Sequence, residues 1–186
     1  MLSYCRYNVL VSVVPPPGGA YHGLGGVCVR LVVFSDTHGN FRAAREVIER
    51  NPEVYTFFFL GDGEAEIDKL KIVYPEKQIL NVSGNCDYNS TSPSTDLYYA
   101  GKVRILYTHG HKLNVQYGVD DLFNMTKQIG AKIALFGHTH QRYYEYRDGI
   151  HMLNPGSCSV PRDGQAPSYA FIDITPSGIM CSHAEL

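Results

Sequence analysis

No apolar run in this 186-residue chain approaches the roughly 20 residues that an α-helix needs to cross a bilayer, which excludes a helical membrane protein. Excess positive charge is lacking too. Sixteen Lys and Arg stand against eighteen Asp and Glu, a formal charge of -2, so the totals imply no basic surface for stable nucleic-acid binding. The five cysteines (Cys5, Cys28, Cys86, Cys158, Cys181) are odd in number, scattered and without a C-x-x-C pair. They read as reduced thiols of a cytoplasmic protein and exclude zinc-finger and disulfide scaffolds. There is no internal repeat and no coiled-coil pattern. What the chain does have is 44% apolar residues, enough for one globular domain, and eight histidines. Four of these fall in two short stretches, His109-Gly110-His111 and His138-Thr139-His140.

Residues 1–28 differ from the rest: a short Val-rich segment, Pro15-Pro16-Pro17-Gly18-Gly19, then Gly23-Leu24-Gly25-Gly26. This composition resists packing and reads as a flexible N-terminal extension, or as an over-long gene start with the native one near Val27 or Val29. From residue 29 to 186 short apolar runs alternate with helical periodicity, which predicts one α/β domain. Strands are expected at Leu31 to Phe34, Phe57 to Leu60, Ile79 to Val82 and Ile133 to Phe136. Helices carry Phe41, Ala44 and Ile48, then Ile67, Leu70 and Tyr74, then Val119, Leu122, Phe123, Thr126 and Ile129, with Gly130 as C-terminal cap. Hairpins are expected at Leu97 to Ala100 with Val103 to Tyr107, turning at Gly101-Lys102, and at Tyr143 to Tyr146 with Ile150 to Leu153 around Asp148-Gly149. Tyr169 to Ile174 closes the β-rich tail.

Ligands of α/β sheets gather beyond the carboxyl ends of strands, and five runs here end in polar chemistry. They are followed by Asp36-Thr37-His38-Gly39, Gly61-Asp62, Gly84-Asn85-Cys86-Asp87, His109-Gly110-His111 and Gly137-His138-Thr139-His140. If the tips converge, two carboxylates, one amide and four or five imidazoles meet in one place. Mixed carboxylate, imidazole and amide donors suit borderline divalent ions such as Mn, Fe, Co, Ni or Zn. Seven donors exceed one four-coordinate site, and two ions sharing a carboxylate is the economical solution. Asp62, between glycines that admit close backbone approach, is the natural bridge. Each motif alone has a plainer explanation: Asp36 or Asn40 as a helix N-cap, Gly84-Asn85 as a turn, His138 and His140 as loop histidines bonded to carbonyls. Five successive strand ends together do not.

These motifs, in this order, with Asn154-Pro155-Gly156-Ser157 and Pro161-Arg162 beyond, resemble the calcineurin-like metallophosphoesterases, particularly the small YfcE-type phosphodiesterases of bacteria and archaea. The resemblance implies a four-layer α/β/β/α sandwich and a dinuclear centre. Asp36, His38, Asp62 and His140 would hold one metal and Asp62, Asn85, His109 and His138 the other. Manganese is the first expectation, with nickel, cobalt, iron or zinc as alternatives. It also implies in-line attack on phosphorus by a hydroxide held between the ions, on a small phosphodiester or nucleotide-type substrate, in a chain that forms dimers or tetramers.

Cys86 departs from the family pattern, standing where many relatives place a histidine that protonates the leaving group. A thiol is a weak donor, which implies modest turnover and a preference for activated diesters. The alternative for Cys86 is an ordinary small buried residue. His111 is expected to orient a ligand histidine, Asp87 to order its turn, Asn154 to Ser157 to form a tight loop near the metals, and Glu64 and Glu66 to serve only the helix dipole. Arg162 reads either as a phosphate clamp or as a solvated loop residue. Other functions compatible with this fold are a phosphomonoesterase, a nucleotide pyrophosphatase, or a non-catalytic protein-binding scaffold like the retromer subunit that shares it.

Overall fold

The computed structural model describes residues 20–23 and 26–186, with side chains from Val29 onward. Of the expected 1–28 extension, residues 1–19 and 24–25 lie outside the described residues, and the remainder is strand. Ala20–Gly23 (β1) pairs antiparallel with the start of Gly26–Phe34 (β2), Ala20 lying opposite Val29.

Alternation along the strands sorts the apolar side chains into three layers, and these generate the architecture. In β2, Val32 and Phe34 point to one face while Leu31 and Val33 point to the other. Thr56–Phe59 (β3) behaves alike, with Phe57 and Phe59 on the outer face and Phe58 on the inner. The outer face is covered by Phe41–Glu49 (α1), through Ala44, Val47 and Ile48, and by Glu64–Val73 (α2), through Ile67 and Leu70. Asn40 caps α1, its side-chain oxygen accepting from the Ala43 N–H at 3.1 Å.

The inner face packs against a second sheet. Thr95–Ala100 (β5), Val103–Thr108 (β6), Ile133–Leu135 (β7), Arg142–Arg147 (β8) and Ile150–Pro155 (β9) lie in the order β5-β6-β7-β9-β8. Ile105, Tyr107, Ile133, Leu135 and Leu153 meet the first sheet, and Leu106, Ala134 and Met152 face outward to Asp120–Gln128 (α3), which buries Leu122 and Phe123. The layers are therefore α/β/β/α. The first sheet is completed by Gln78–Asn81 (β4), Ser168–Thr175 (β10) and Gly178–Glu185 (β11), ordered β11-β10-β2-β3-β4 with β1 beside β2.

Two parallel trios matter for the site: β2-β3-β4 in one sheet and β6-β7-β9 in the other. Their carboxyl ends open onto the same end of the sandwich. Both expected hairpins form, and their turns have the backbone the residues suggested. Gly101 has φ +61°, and Asp148 and Gly149 have +48° and +79°.

Candidate metal centre

Five of the seven expected ligands occupy the left-handed backbone region: Asp36 (φ +58°), His38 (+45°), Asp62 (+60°), His138 (+68°) and His140 (+59°). Side chains other than glycine rarely adopt it, at a cost of roughly 1 kcal/mol each, and such residues cluster where function dictates geometry. Hydrogen bonds between neighbouring tips hold these turns. Asp36 N–H donates to the Gly61 carbonyl (3.1 Å), His38 N–H to that of Asp62 (3.0 Å), and Gly137 N–H to that of His109 (3.1 Å).

The donors meet across the two sheets. His140 Nε2 lies 3.3 Å from Asp36 Oδ1 and 3.0 Å from His38 Nε2. Asp62 Oδ2 lies 3.7 Å from His38 Nε2 and 3.6 Å from His109 Nε2, midway between the groups. Asn85 Oδ1 is 3.0 Å from His109 Nε2. His138 stands at the rim, its N–H donating to Asp36 Oδ2 (3.2 Å) and its ring centre 5.1 Å from that of His109. Asp36, His38 and His140 offer donor atoms all within 4.8 Å of one another, as do Asp36, Asp62 and His109. Two donors about 2.1 Å from a shared ion stand about 3.0 Å apart at a right angle and about 3.4 Å at the tetrahedral angle, so these separations suit coordination.

Proton positions make the same point. His109 Nδ1 lies 2.7 Å from the Leu60 carbonyl and His140 Nδ1 2.8 Å from that of Val160. A carbonyl only accepts, so both Nδ1 atoms carry hydrogen and the rings turn their Nε2 atoms inward. These nitrogens face the Asp62 and Asp36 carboxylates, and Asp36 Oδ1, though fully buried, has no partner in hydrogen-bond geometry among the described residues. Imidazole nitrogens and carboxylates crowded into a buried site call for a shared cation, a proton or a metal ion. Burial opposes protonation of His140, but Asp36 and the Val160 carbonyl outweigh it and raise its proton affinity, a pull that a metal ion would also feel. At His138 and His111 burial prevails and lowers it.

Glycine permits the crowding. A Cβ on Gly84 would fall 2.0 Å from Asp62 Oδ1, and one on Gly61 would fall 2.6 Å from the Gly84 nitrogen. The opposing tips of β3 and β4 could not close around Asp62 otherwise.

Several supporting residues differ from expectation. His109 and His140 are oriented by backbone carbonyls rather than by His111, whose Nδ1 is buried with no partner among the described residues and whose ring centre lies 5.3 Å from that of His109. Glu66 does more than serve a dipole. It is buried, and Oε2 accepts from Thr37 Oγ1 (3.1 Å) and Gly39 N–H (3.3 Å), securing the Asp36–His38 loop. Asp87 orders its own turn, as expected, and the opposing one as well. Its carboxylate accepts four backbone N–H groups, of Asp62 (2.8 Å), Gly63 (2.8 Å), Glu64 (2.9 Å) and Gly84 (2.7 Å). Burial opposes its ionisation, but these four donors hold its acidity above that of an ordinary carboxyl. Asn154 and Ser157 do form the expected tight loop: Asn154 Nδ2 donates to the Gly137 carbonyl (2.7 Å) and Ser157 Oγ to that of Asp36 (2.8 Å).

Cys86 is exposed, which removes the buried-residue explanation. Its sulfur lies within 4.8 Å of donor atoms of His38 and Asp62. Partial loss of solvent around the thiolate and then the Asp62 carboxylate push the thiol up to about 11.

The sequence model of the calcineurin-like phosphoesterase superfamily domain matches residues 29–177. The probable metallophosphoesterase YsnB of Bacillus subtilis is 29% identical over 147 residues, covering 78% of this chain and 85% of its own. Phosphodiesterase YfcE of Escherichia coli is 25% identical over 169 residues, covering 78% and 88%. Among solved structures, a predicted phosphoesterase from Streptococcus pneumoniae superposes with TM-score 0.76 at 29% identity, over 85% of this chain and 90% of that one. Zinc-complexed Vps29 of Entamoeba histolytica superposes with TM-score 0.63 at 18% identity, over 84% and 98%, a likeness of fold alone. With the family domain spanning most of its length and donors for metal gathered at the strand tips, this chain belongs to the calcineurin-like phosphoesterase superfamily of metal-dependent phosphoesterases.

Proposed function

We propose that the protein is a phosphodiesterase that works with two divalent transition-metal ions, manganese foremost. The observation that carries this is the pair of inward-facing Nε2 atoms, on His109 and His140, held by carbonyls against the buried Asp62 and Asp36 carboxylates. Asp36, His38 and His140 would hold one ion and Asn85, His109 and His138 the other, with Asp62 shared. When bound, such ions supply activated water and positive charge for the phosphoryl oxygens.

The chain's own part is positioning. The carbonyls of Leu60 and Val160 fix the rings of His109 and His140, and Asp87 fixes the Asp62 backbone. Water oxygen bonds to phosphorus as one ester P–O bond breaks, and the departing oxygen takes up a proton. Cys86, exposed beside His38 and Asp62, is a weaker donor than an imidazole, so esters with good leaving groups are favoured. The naming of YfcE as a phosphodiesterase supports the diester over the monoester. The scaffold alternative has only a likeness of fold behind it.

Hydrolysis of bis-p-nitrophenyl phosphate beside p-nitrophenyl phosphate, with Mn, Ni, Co, Zn and Mg in turn, tests the proposal. The diester is expected to be cleaved faster, only with metal, and about a thousandfold more slowly by Asp62→Asn. Metal-loaded protein inert on every ester would support the scaffold.

A further inference from the structure

Two cavities flank the candidate centre, and they differ in charge. One, of about 400 Å³, contains His38, Cys86 and four carboxylates, those of Asp62, Glu64, Glu66 and Asp87, with no Lys or Arg. The other, of about 760 Å³, runs from His138 past Phe136 and Tyr143 and is lined by three arginines, Arg142, Arg147 and Arg162, and one carboxylate, Asp120. That volume suits a nucleotide-sized group, and its mixed polar and apolar lining suits a ring with polar attachments.

The three guanidinium groups are not equivalent. Arg142 Nε donates to Asp163 Oδ2 at 2.8 Å, and Arg147 is held by Asp120 (2.6 Å) and Glu145 (2.8 Å). Arg162 makes no side-chain hydrogen bond or ion pair among the described residues, and it is exposed to the cavity. Its main chain is nonetheless fixed to the site. Arg162 N–H donates to the His140 carbonyl at 2.9 Å, while two residues earlier the Val160 carbonyl accepts the His140 Nδ1 proton. An uncompensated guanidinium is therefore anchored on the peptide of an expected metal ligand, in the lining of a cavity large enough for one substituent of a diester.

We infer that this cavity is a substrate subsite and that Arg162 selects phosphodiesters whose substituent there carries a second anionic group, as in nucleotide-type substrates. The planar guanidinium fork matches phosphate and carboxylate oxygens in pairs, and an anionic substituent would be repelled from the acidic cavity opposite. Such a substrate has one way to lie across the centre. This rests on the phosphodiesterase reading for its chemistry but on Arg162 alone for its selectivity.

Three aryl p-nitrophenyl phosphates sharing one leaving group provide the test, with phenyl, 4-carboxyphenyl and 4-phosphonophenyl as the retained aryl group. The wild type is expected to prefer the anionic esters over phenyl by about tenfold in kcat/KM, the worth of one charge-assisted contact. Arg162→Gln should bring that ratio close to one, and Arg162→Lys should keep part of it. The larger of the two anionic ratios names the preferred anion. The same three aryl groups on p-nitrobenzylphosphonate, where carbon replaces the scissile oxygen, give a binding ratio by calorimetry that needs no turnover. A tenfold binding preference lost in Arg162→Gln, with no hydrolysis of any ester, would uphold the subsite and sink the phosphodiesterase reading. Equal affinity for all three in the wild type, or a preference that survives Arg162→Gln, would overturn the inference.

Discussion

Phe58 and Asp62 are four residues apart on one stretch of chain, and their surroundings reward opposite properties. Phe58 is fully buried between the sheets, its ring set edge-on to Tyr98 and Tyr107 at 5.4 and 5.1 Å. Removing it from water stabilises the fold by roughly 1.5–3 kcal/mol, and its backbone is ordinary strand. Asp62 is buried nearly as deeply, at 3% exposed, but with positive φ. Oδ1 accepts the Cys86 N–H at 2.8 Å, while Oδ2 faces two histidine nitrogens. The apolar layers carry the stability, and the strand tips use part of it to hold a donor set that is unfavourable until a cation joins it.

Substitutions at the two positions should therefore separate rate from stability. Asp62→Asn, which lowers turnover most, is expected to leave the melting temperature of metal-free protein unchanged or raised, because it removes a buried carboxylate from a site built for a cation. Phe58→Ala should lower the unfolding free energy by about 3–5 kcal/mol and leave the rate per folded molecule unaltered. Denaturant melts beside active-site titration read both; a destabilised Asp62→Asn or a slowed Phe58→Ala would dissolve the distinction.

Asp87 sharpens it. Asp87→Asn keeps the shape but turns an amide NH₂ toward two backbone N–H groups, so the β3 and β4 tips should loosen around Asp62. A loss of about 10- to 100-fold in metal affinity is expected, measured by competition with a chelator, with only a small change in unfolding. Unchanged affinity would make Asp87 a turn residue and nothing more.

The strands and helices between Leu31 and Phe136 were legible because burial on two-sided sheets writes apolar runs and helical periodicity into the chain. β11 was not. It is an edge strand whose residues alternate between exposed and partly buried, and its Ile179-Met180-Cys181-Ser182-His183 sequence has no clean apolar face. At the site, residue types and order were legible from the strand ends, and the structure brings Asp36, His38, Asp62, Asn85, His109 and His140 within donor reach, with His138 at the rim. The supports were not legible. Asp87 reaches the Asp62 loop because parallel pairing sets Phe59 opposite Asn81, and Leu60 and Val160 orient histidines through carbonyls that every residue possesses.

Metal stoichiometry tests the central claim most directly. Protein stripped with chelator and titrated calorimetrically with Mn²⁺, with bound metal counted by elemental analysis, should take up two ions per chain and rise in melting temperature as it does so. Asp62→Asn should fail to hold both. Binding of no ion, or a second ion that binds as tightly when Asp62 is replaced, would contradict it.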